Sequence, residues 1–226
     1  MKKLLAIALG IGIFTTATSQ KVYVQGGVNL SNITTSNSGS TEDSHLLTTF
    51  NAGIMARSNN AEPIALEAGL LVEGKGAKSS GGSGSTHYDA TFNPLYLQLP
   101  VNVLFRLPLQ ASNSNIFINA GPYVAMGIAG KSKVKGEILG VNVDDTKDIQ
   151  FTNADPTDDD QAYSKLKRFD YGVNVGAGID LGKILLKANY GLGLSKINSM
   201  QTDNGENAKD KYRVVSISLG IPLSRR

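Results

Sequence analysis

The stretch FDYGVNVGAGIDL, residues 169–181, alternates between apolar residues and polar residues or glycines at every position. The apolar series is Phe169, Tyr171, Val173, Val175, Ala177, Ile179 and Leu181. The second series is Asp170, Gly172, Asn174, Gly176, Gly178 and Asp180. Successive side chains of a β-strand point to opposite faces, whereas a helix would mix the two series on every face. The pattern therefore predicts a strand with one apolar and one polar face.

Seven further segments show the same alternation, some of them more weakly. They lie at about residues 21–32, 46–57, 64–77, 95–106, 115–130, 184–195 and 214–223. Strands of soluble proteins usually have about 5–6 residues, whereas a tilted strand needs about 9–11 to cross a bilayer. These segments have the longer length. The sequence thus predicts an all-β fold, an eight-stranded antiparallel transmembrane β-barrel.

The connections between these segments alternate between short and long. The short ones are 58–63, 108–115 and 182–183, and the long ones are 33–45, 78–87, 131–168 and 198–211. Outer-membrane barrels have short periplasmic turns and longer extracellular loops. The alternation therefore predicts an up-and-down barrel with both termini on the periplasmic side.

The first nineteen residues have the pattern of an export signal. Lys2 and Lys3 precede an apolar run at 4–14, and small residues at 17–19 precede Gln20. The run is too short for a transmembrane helix, which needs about 20 residues. We therefore expect a cleaved signal peptide at 1–19 and one barrel domain at 20–226. The alternative is a buried N-terminal helix.

Composition excludes several functional classes. The chain has no cysteine, so it has no disulfide, thiolate metal site or thiol nucleophile. Its formal net charge of +3 includes the two lysines of the expected signal peptide, and the other basic residues are scattered. Nucleic-acid binding would require basic residues clustered on one face. We expect no nucleic-acid partner, no cofactor and no metal.

The polar face of the predicted strands carries few charges and many glycines, which suits a narrow interior better than a solvated exterior. A soluble barrel of the lipocalin type would have the opposite arrangement, and it remains the alternative. Eight strands enclose a space that side chains fill, and an unpaired charge there is costly. We therefore predict a charge network that closes the lumen, formed by Arg57, Glu67, Glu73, Lys75, Arg106, Asp170 and Lys187.

Two prolines lie inside predicted strands. Pro100 falls in the fourth strand and Pro122 in the fifth. Because proline cannot donate a ladder hydrogen bond, it usually marks an edge or a bulge. We expect one local bulge shared by both strands, and the alternative is a break in one strand.

Two histidines and an acidic segment are the remaining candidates for chemistry. His87 and Asp89 could form a base and its orienting carboxylate, but the neighbouring low-complexity SSGGSGS segment is a poor catalytic platform. His45 lies near Glu42 and Asp43 without a recognised metal-site spacing. The acidic segment 144–160 lacks the EF-hand spacing. We interpret all of these as solvated loop residues.

Several stretches resemble the PorT-like family of outer-membrane barrels in Gram-negative bacteria. They are VQGGVNLSNI at 24–33, YLQLPVNVLFRL at 96–107, NAGPYVAMG at 119–127, FDYGVNVGAGIDL at 169–181 and YGLGLSKI at 190–197. The resemblance implies a barrel fold to which both prolines belong. The last residues, Ser224-Arg225-Arg226, depart from the terminal aromatic residue that is common in such barrels.

The expected function follows from this architecture. We expect an outer-membrane barrel with a structural or interaction role, no enzymatic activity, and loops 131–168 and 198–211 as its contact surface. Its expected partners are outer-membrane lipids and other envelope or secretion proteins, with the oligomeric state left open. The alternatives are a narrow transport or secretion-accessory barrel of porin type and, third, a rim hydrolase.

Overall fold

The structure is a computed structural model that describes residues 20–37, 40–43, 45–58, 63–83, 86–109, 114–138, 141–152, 165–197 and 209–223. These residues form thirteen strands. They are β1 (Gln20–Asn37), β2 (Ser40–Asp43), β3 (Leu47–Ser58), β4 (Ile64–Gly74), β5 (Ala77–Ser83), β6 (Thr86–Pro108), β7 (Asn115–Ile138), β8 (Val141–Asp148), β9 (Gln150–Thr152), β10 (Lys165–Lys167), β11 (Phe169–Asp180), β12 (Leu185–Gly193) and β13 (Lys209–Pro222). The expected signal peptide lies outside the described residues. In the described ranges, no helix is long and apolar enough to cross a membrane.

Eight antiparallel strands close into a ring. Going around it, the order is β1, β3, β4, β6, β7, β11, β12 and β13, and β13 pairs with β1 to complete the circle. These are the eight strands that the sequence predicts. Closure matters because lipid offers no water to satisfy an open sheet edge.

The apolar face points outward and the polar face points inward. Ile217 is 66% exposed and Val175 is 56% exposed, whereas Asn29 and Glu67 are at most 1% exposed. A soluble ligand-binding barrel would show the reverse, so the lipocalin alternative is wrong. An apolar exterior around a polar interior is the arrangement that a hydrocarbon solvent requires.

The barrel wall extends past the ring at the end that carries the long connections. We call this the long-loop end, and the opposite end, with the connections after β3, β6 and β11, the short-turn end. β5 and β8 lie within the predicted connections 78–87 and 131–168, and they flank the extended parts of β6 and β7 in a four-stranded sheet. The prediction of loops was wrong for these residues. Their Gly, Ser, Lys and Asp side chains form no apolar face, so period-two hydrophobicity cannot reveal them.

The prolines interrupt the ladder without a bulge. Pro100 pairs with Tyr123 and Val103 pairs with Ala120, so the register is the same on both sides of the gap. Both strands continue, and the alternative of a broken strand is wrong as well. The missing N–H of each proline removes ladder bonds without inserting a residue. The register shift between β6 and β7 lies instead at Leu95 and Tyr96.

Candidate functional site: the charged interior of the barrel

A first charge cluster lies toward the short-turn end and is centred on Glu67. The Arg57 guanidinium donates from Nη2 and Nε to Glu67 Oε2 at 2.6 and 3.0 Å, and Tyr23 donates to the same oxygen at 2.6 Å. Lys187 donates to Oε1. Arg57 lies on β3, Glu67 on β4 and Lys187 on β12, so the cluster joins distant parts of the ring. Two cations around one fully buried carboxylate give charge-assisted hydrogen bonds that offset its desolvation.

Asp180 links this cluster to Lys21 at the start of β1. Its Oδ2 lies 3.4 Å from Arg57 Nη1, and its Oδ1 lies 2.8 Å from Lys21 Nζ. Lys21 also donates to the carbonyl of Gly182 in the turn between β11 and β12. The guanidinium carbon of Arg57 lies 4.3 Å from the centroid of the Phe117 ring, which adds a cation–π contact. The short-turn end of the lumen is therefore filled by salt bridges and packed rings.

A second charge cluster lies toward the long-loop end and is centred on Lys75. Its Nζ donates to Asp170 Oδ2 and to Gln98 Oε1, both at 2.8 Å, and lies 3.8 Å from Glu73 Oε2. The Ser195 hydroxyl donates to Asp170 Oδ1 at 2.5 Å. Lys75 is 1% exposed and Asp170 is 3% exposed. The pair connects β11 with the link between β4 and β5.

Tyrosine rings surround the Lys75 ammonium. Its Nζ lies 4.2 Å from the Tyr123 centroid, 5.4 Å from that of Tyr96 and 5.9 Å from that of Tyr212. The Tyr123 hydroxyl donates to Asp170 at 3.1 Å. Aromatic faces attract cations most strongly where water is excluded. These rings therefore hold the charge of Lys75 while filling the space around it.

An apolar cap covers these tyrosines at the long-loop end. Phe151 of β9 meets Tyr96 edge to face, with ring centroids 5.6 Å apart. Ile149, Leu166 and Ile197 belong to the same buried cluster. β9 and β10, which carry Phe151 and Leu166, pair in parallel as a separate small sheet. Side chains from the chain after β8 thus pack over the tyrosines at this end of the barrel.

A layer of amide and hydroxyl side chains separates the two charge clusters. It surrounds a cavity of about 20 Å³. That is room for about one or two waters. Two oxygens of its lining, Gln25 Oε1 and Asn102 Oδ1, accept no hydrogen bond from the protein. Water in the cavity would satisfy them. Other polar lining residues are Asn51, Asn174, Asn189 and Ser216.

The structure separates the seven residues of the predicted network into these two clusters. Arg57, Glu67 and Lys187 meet in the first, and Glu73, Lys75 and Asp170 meet in the second. Arg106 lies on β6 near the short-turn end, half-buried, with Arg57 and Asp180 as its electrostatic neighbours. Its backbone N–H donates to the Pro63 carbonyl.

Sequence reasoning missed several members of the two clusters. Lys21 follows the expected cleavage position, so nothing marked it as a lumen residue. The four tyrosines Tyr23, Tyr96, Tyr123 and Tyr212 count as apolar by composition, yet their hydroxyls face polar groups. Strand parity was the usable signal for Tyr96, because Gln98 and Asn102 share its face. Leu185 breaks the alternation of β12, and it packs inside with Phe117.

The other candidates for chemistry do not form a site among the described side chains. His45 is exposed and its backbone bridges Lys78 of β5. His87 lies in β6 opposite Gly82 and Glu137, and Asp89 is exposed. Asp144, Asp145 and Asp148 are exposed, whereas the acidic residues at 155–160 lie outside the described ranges. No group of three or more potential metal ligands occurs in the described part of the chain.

A closed ring of eight long antiparallel strands, apolar outside and polar inside, defines an outer-membrane β-barrel. The chain belongs to the family described as outer membrane protein beta-barrel domain, whose sequence model matches residues 19–199. Its location is therefore the outer membrane of a Gram-negative cell. No curated protein sequence matches the chain.

Solved structures of other small barrels are similar to this chain. Ail, the attachment invasion locus protein of Yersinia pestis, shares 13% identity at a TM-score of 0.42, over 91% of this chain and 100% of that one. Neisserial surface protein A shares 12% identity at a TM-score of 0.38, over 88% of this chain and 96% of that one. The N-terminal β-barrel domain of Pseudomonas aeruginosa OprF shares 8% identity at a TM-score of 0.30, over 87% and 97%.

Proposed function

We propose that this outer-membrane barrel has a structural or interaction role, with a lumen closed to ions and the long-loop end as its contact surface. In this proposal the chain is exported with a cleaved signal peptide and forms an up-and-down barrel. Its narrower resemblance to PorT-like barrels is part of the same proposal, as is the absence of enzymatic activity. Outer-membrane lipids and other envelope or secretion proteins are the proposed partners.

The observation that supports the proposal is that two separate charge clusters cross the lumen. The Glu67 cluster ties β3, β4 and β12 together, and the Lys75 cluster ties the β4–β5 link to β6 and β11. The cap around Phe151 lies beyond the second cluster. An ion crossing the barrel would have to break salt bridges that no water can replace, and such bridges are costly to break in a buried site.

A narrow transport function is the second candidate, and the cavity between the clusters favours it. The amide and hydroxyl groups of the cavity lining can hydrogen-bond to water along a conduction path. The cavity lies between the two charge clusters. At about 20 Å³ it holds water but no larger solute.

Conductance across a planar lipid bilayer distinguishes the two. The closed barrel predicts no steady current above background for the wild-type protein. The triple variant Arg57→Ser, Glu67→Ser, Lys187→Ser removes three charges of the first cluster without leaving an unpaired ion, because Asp180 keeps its ion pair with Lys21. We expect brief openings from it. Long-lived openings of the wild-type protein would contradict the closed lumen and support transport.

A further inference from the structure

The outward face of β7 changes from apolar to basic at the long-loop end. Its outward residues from 116 to 128 are all apolar, and Ile118, Val124 and Ile128 are 60%, 55% and 46% exposed. Twelve residues span about 40 Å of strand. At a tilt of about 40° the strand rises by about 30 Å, which is similar to the height of the apolar band of a membrane barrel. Three exposed lysines follow: Lys131, Lys133 and Lys135.

The neighbouring strand places the same boundary at the same level. On β6 the outward residues from 95 to 107 are apolar, and Asn93, Thr91 and Asp89 follow. Leu95 pairs with Ala129, and Leu107 pairs with Ile116, so the two apolar series begin and end at matching rungs. The lysines therefore lie directly above the hydrocarbon, at the level of the outer leaflet's headgroups.

The register shift at Leu95 and Tyr96 turns the lysines outward. Below it, the odd-numbered residues of β7, such as Tyr123 and Ala125, face the lumen. Above it, Lys131, Lys133 and Lys135 pair with outward residues of β6, because one extra residue of β7 stands at Ile128. If the lower register continued without the shift, Lys131 would pair with Phe92 in place of Asn93, and the lysines would point toward the barrel axis. Bulges at barrel rims commonly re-aim side chains in this way.

The net charge of this outer face differs from row to row, and it is most positive in the second row from the membrane. The row nearest the apolar band contains Asn93, Lys131 and Asp148. The next row contains Lys78, Thr91, Lys133 and Thr146, two cations and two hydroxyls without a carboxylate. The third contains Ser80, Asp89, Lys135 and Asp144. Cross-strand partners share a face, and successive rows are about 7 Å apart.

The ion pairs within this face leave its lysines available. Asp144 lies 4.0 Å from Lys133 Nζ and 3.6 Å from Lys135 Nζ, and all three side chains are about half exposed. Exposed pairs of this kind contribute little binding energy. Lys131 stands opposite Asp148 in the row next to the bilayer, so that row is neutral, whereas the second row carries two positive charges. An anion at the membrane surface therefore meets the excess of positive charge in the second row.

From this arrangement we infer a binding surface for the phosphate groups of outer-leaflet glycolipid, formed by Lys78, Lys131 and Lys133 with the hydroxyls of Thr91 and Thr146. The occupant is an anionic lipid because the patch adjoins the apolar band: acyl chains would pack on Ile128 and Leu97 while the headgroup phosphates meet the lysines. The inference rests on the proposed orientation, with the long-loop end at the outer leaflet, but it uses only the outer wall and does not depend on whether the lumen conducts.

Native mass spectrometry of the full-length barrel in detergent tests the inference with lipid A as the probe. The protein carries bound lipid A, and lipid A stripped of its phosphates binds at least tenfold more weakly. A lysine near an anionic surface contributes about fivefold in affinity, so K78Q/K133Q is expected to lose about twenty-fivefold. The control K183E changes the net charge by the same two units at the short-turn end, where Lys183 is exposed, and keeps wild-type binding.

Three results would overturn the inference. They are wild-type binding that ignores the phosphates, K78Q/K133Q binding equal to that of the wild-type protein, and an equal loss in the control variant. Heat-modifiable gel mobility shows whether each variant is folded, and it is recorded first. If K78Q/K133Q does not fold, the phosphate-stripped lipid alone decides, because that comparison uses only the wild-type protein.

Discussion

Lys75 and Asp170 form an ion pair across the interior of the barrel, with Nζ 2.8 Å from Oδ2, although they are 95 residues apart in the chain. The carboxylate also accepts hydrogen bonds from Tyr123 and Ser195. Every partner of Asp170 is therefore a donor, and each comes from a different part of the ring. The pair ties the wall together as well as filling the lumen.

Replacing Asp170 by alanine is expected to destabilise the barrel by about 3–5 kcal/mol, because Lys75 would keep a buried charge without its strongest partner. The measurement is urea unfolding of the protein in lipid vesicles. Asp145→Ala is the control, since that side chain is 52% exposed, and it should change stability by no more than about 0.5 kcal/mol. Equal effects of the two substitutions would contradict the buried pair.

Removing both charges should cost less than removing one. The double variant Lys75→Met, Asp170→Leu is made in a Glu73→Gln background, because Glu73 also lies 3.8 Å from Lys75. It then leaves no unpaired ion, and such replacements of buried pairs are often neutral. A double-mutant cycle with the two single variants therefore predicts a coupling energy of at least about 2 kcal/mol. Additive losses in the same unfolding assay would show that the two side chains act independently.

Glycines on the inner face make room for the packed rings. A Cβ at Gly178 would overlap the Phe117 ring, whereas a Cβ at Gly26 would have no neighbour closer than 4.0 Å, the Asn51 carbonyl oxygen. Gly178→Ala should therefore lower stability by about 1–3 kcal/mol, and Gly26→Ala should be tolerated. Adding Phe117→Leu should recover part of the Gly178→Ala loss. A larger loss of stability from Gly26→Ala than from Gly178→Ala would contradict this account of the glycines.

A charged substitution on the outer face should lower stability markedly only within the apolar band. Val124 is 55% exposed near the middle of the outward apolar series of β7. Ser80 of β5 is exposed on the same outer wall beyond that series, in the row of Asp89 and Lys135. Val124→Lys is expected to cost about 2–4 kcal/mol in a bilayer, as lysine does at the midplane, and Ser80→Lys about 0–1 kcal/mol. Equal costs for both positions would place the bilayer elsewhere on the barrel.

The ring could be predicted because its signal is local. Alternation within one strand, as at 169–181, marks both the strand and its two faces, and all eight ring strands were found in this way. β5 and β8 carry no apolar face, so nothing in their own residues distinguishes them from loops. The bulge at Ile128 is set by how β6 and β7 pair, which one strand's sequence does not specify.

The interior could be predicted only in outline. Strand parity marks which charges face inward, but whether Lys75 meets Glu73 or Asp170 depends on the height of each residue in the tilted ring. The structure brings Lys75 closer to Asp170, at 2.8 Å, than to Glu73, at 3.8 Å. Lys21 and Asp180 meet because the start of β1 and the end of β11 lie at the same end of the barrel, which is a relation between distant segments.

The central claim is that the apolar side of each strand meets hydrocarbon while the polar side closes around a packed core. The chain has no cysteine, so single cysteines can be introduced along β11 and labelled with a nitroxide in lipid vesicles. Collision with oxygen, which dissolves in lipid, is expected to be high at residues 171, 173 and 175 and low at 172, 174 and 176. Accessibility without this period of two, or contact of the odd-numbered positions with a water-soluble quencher, would contradict the account.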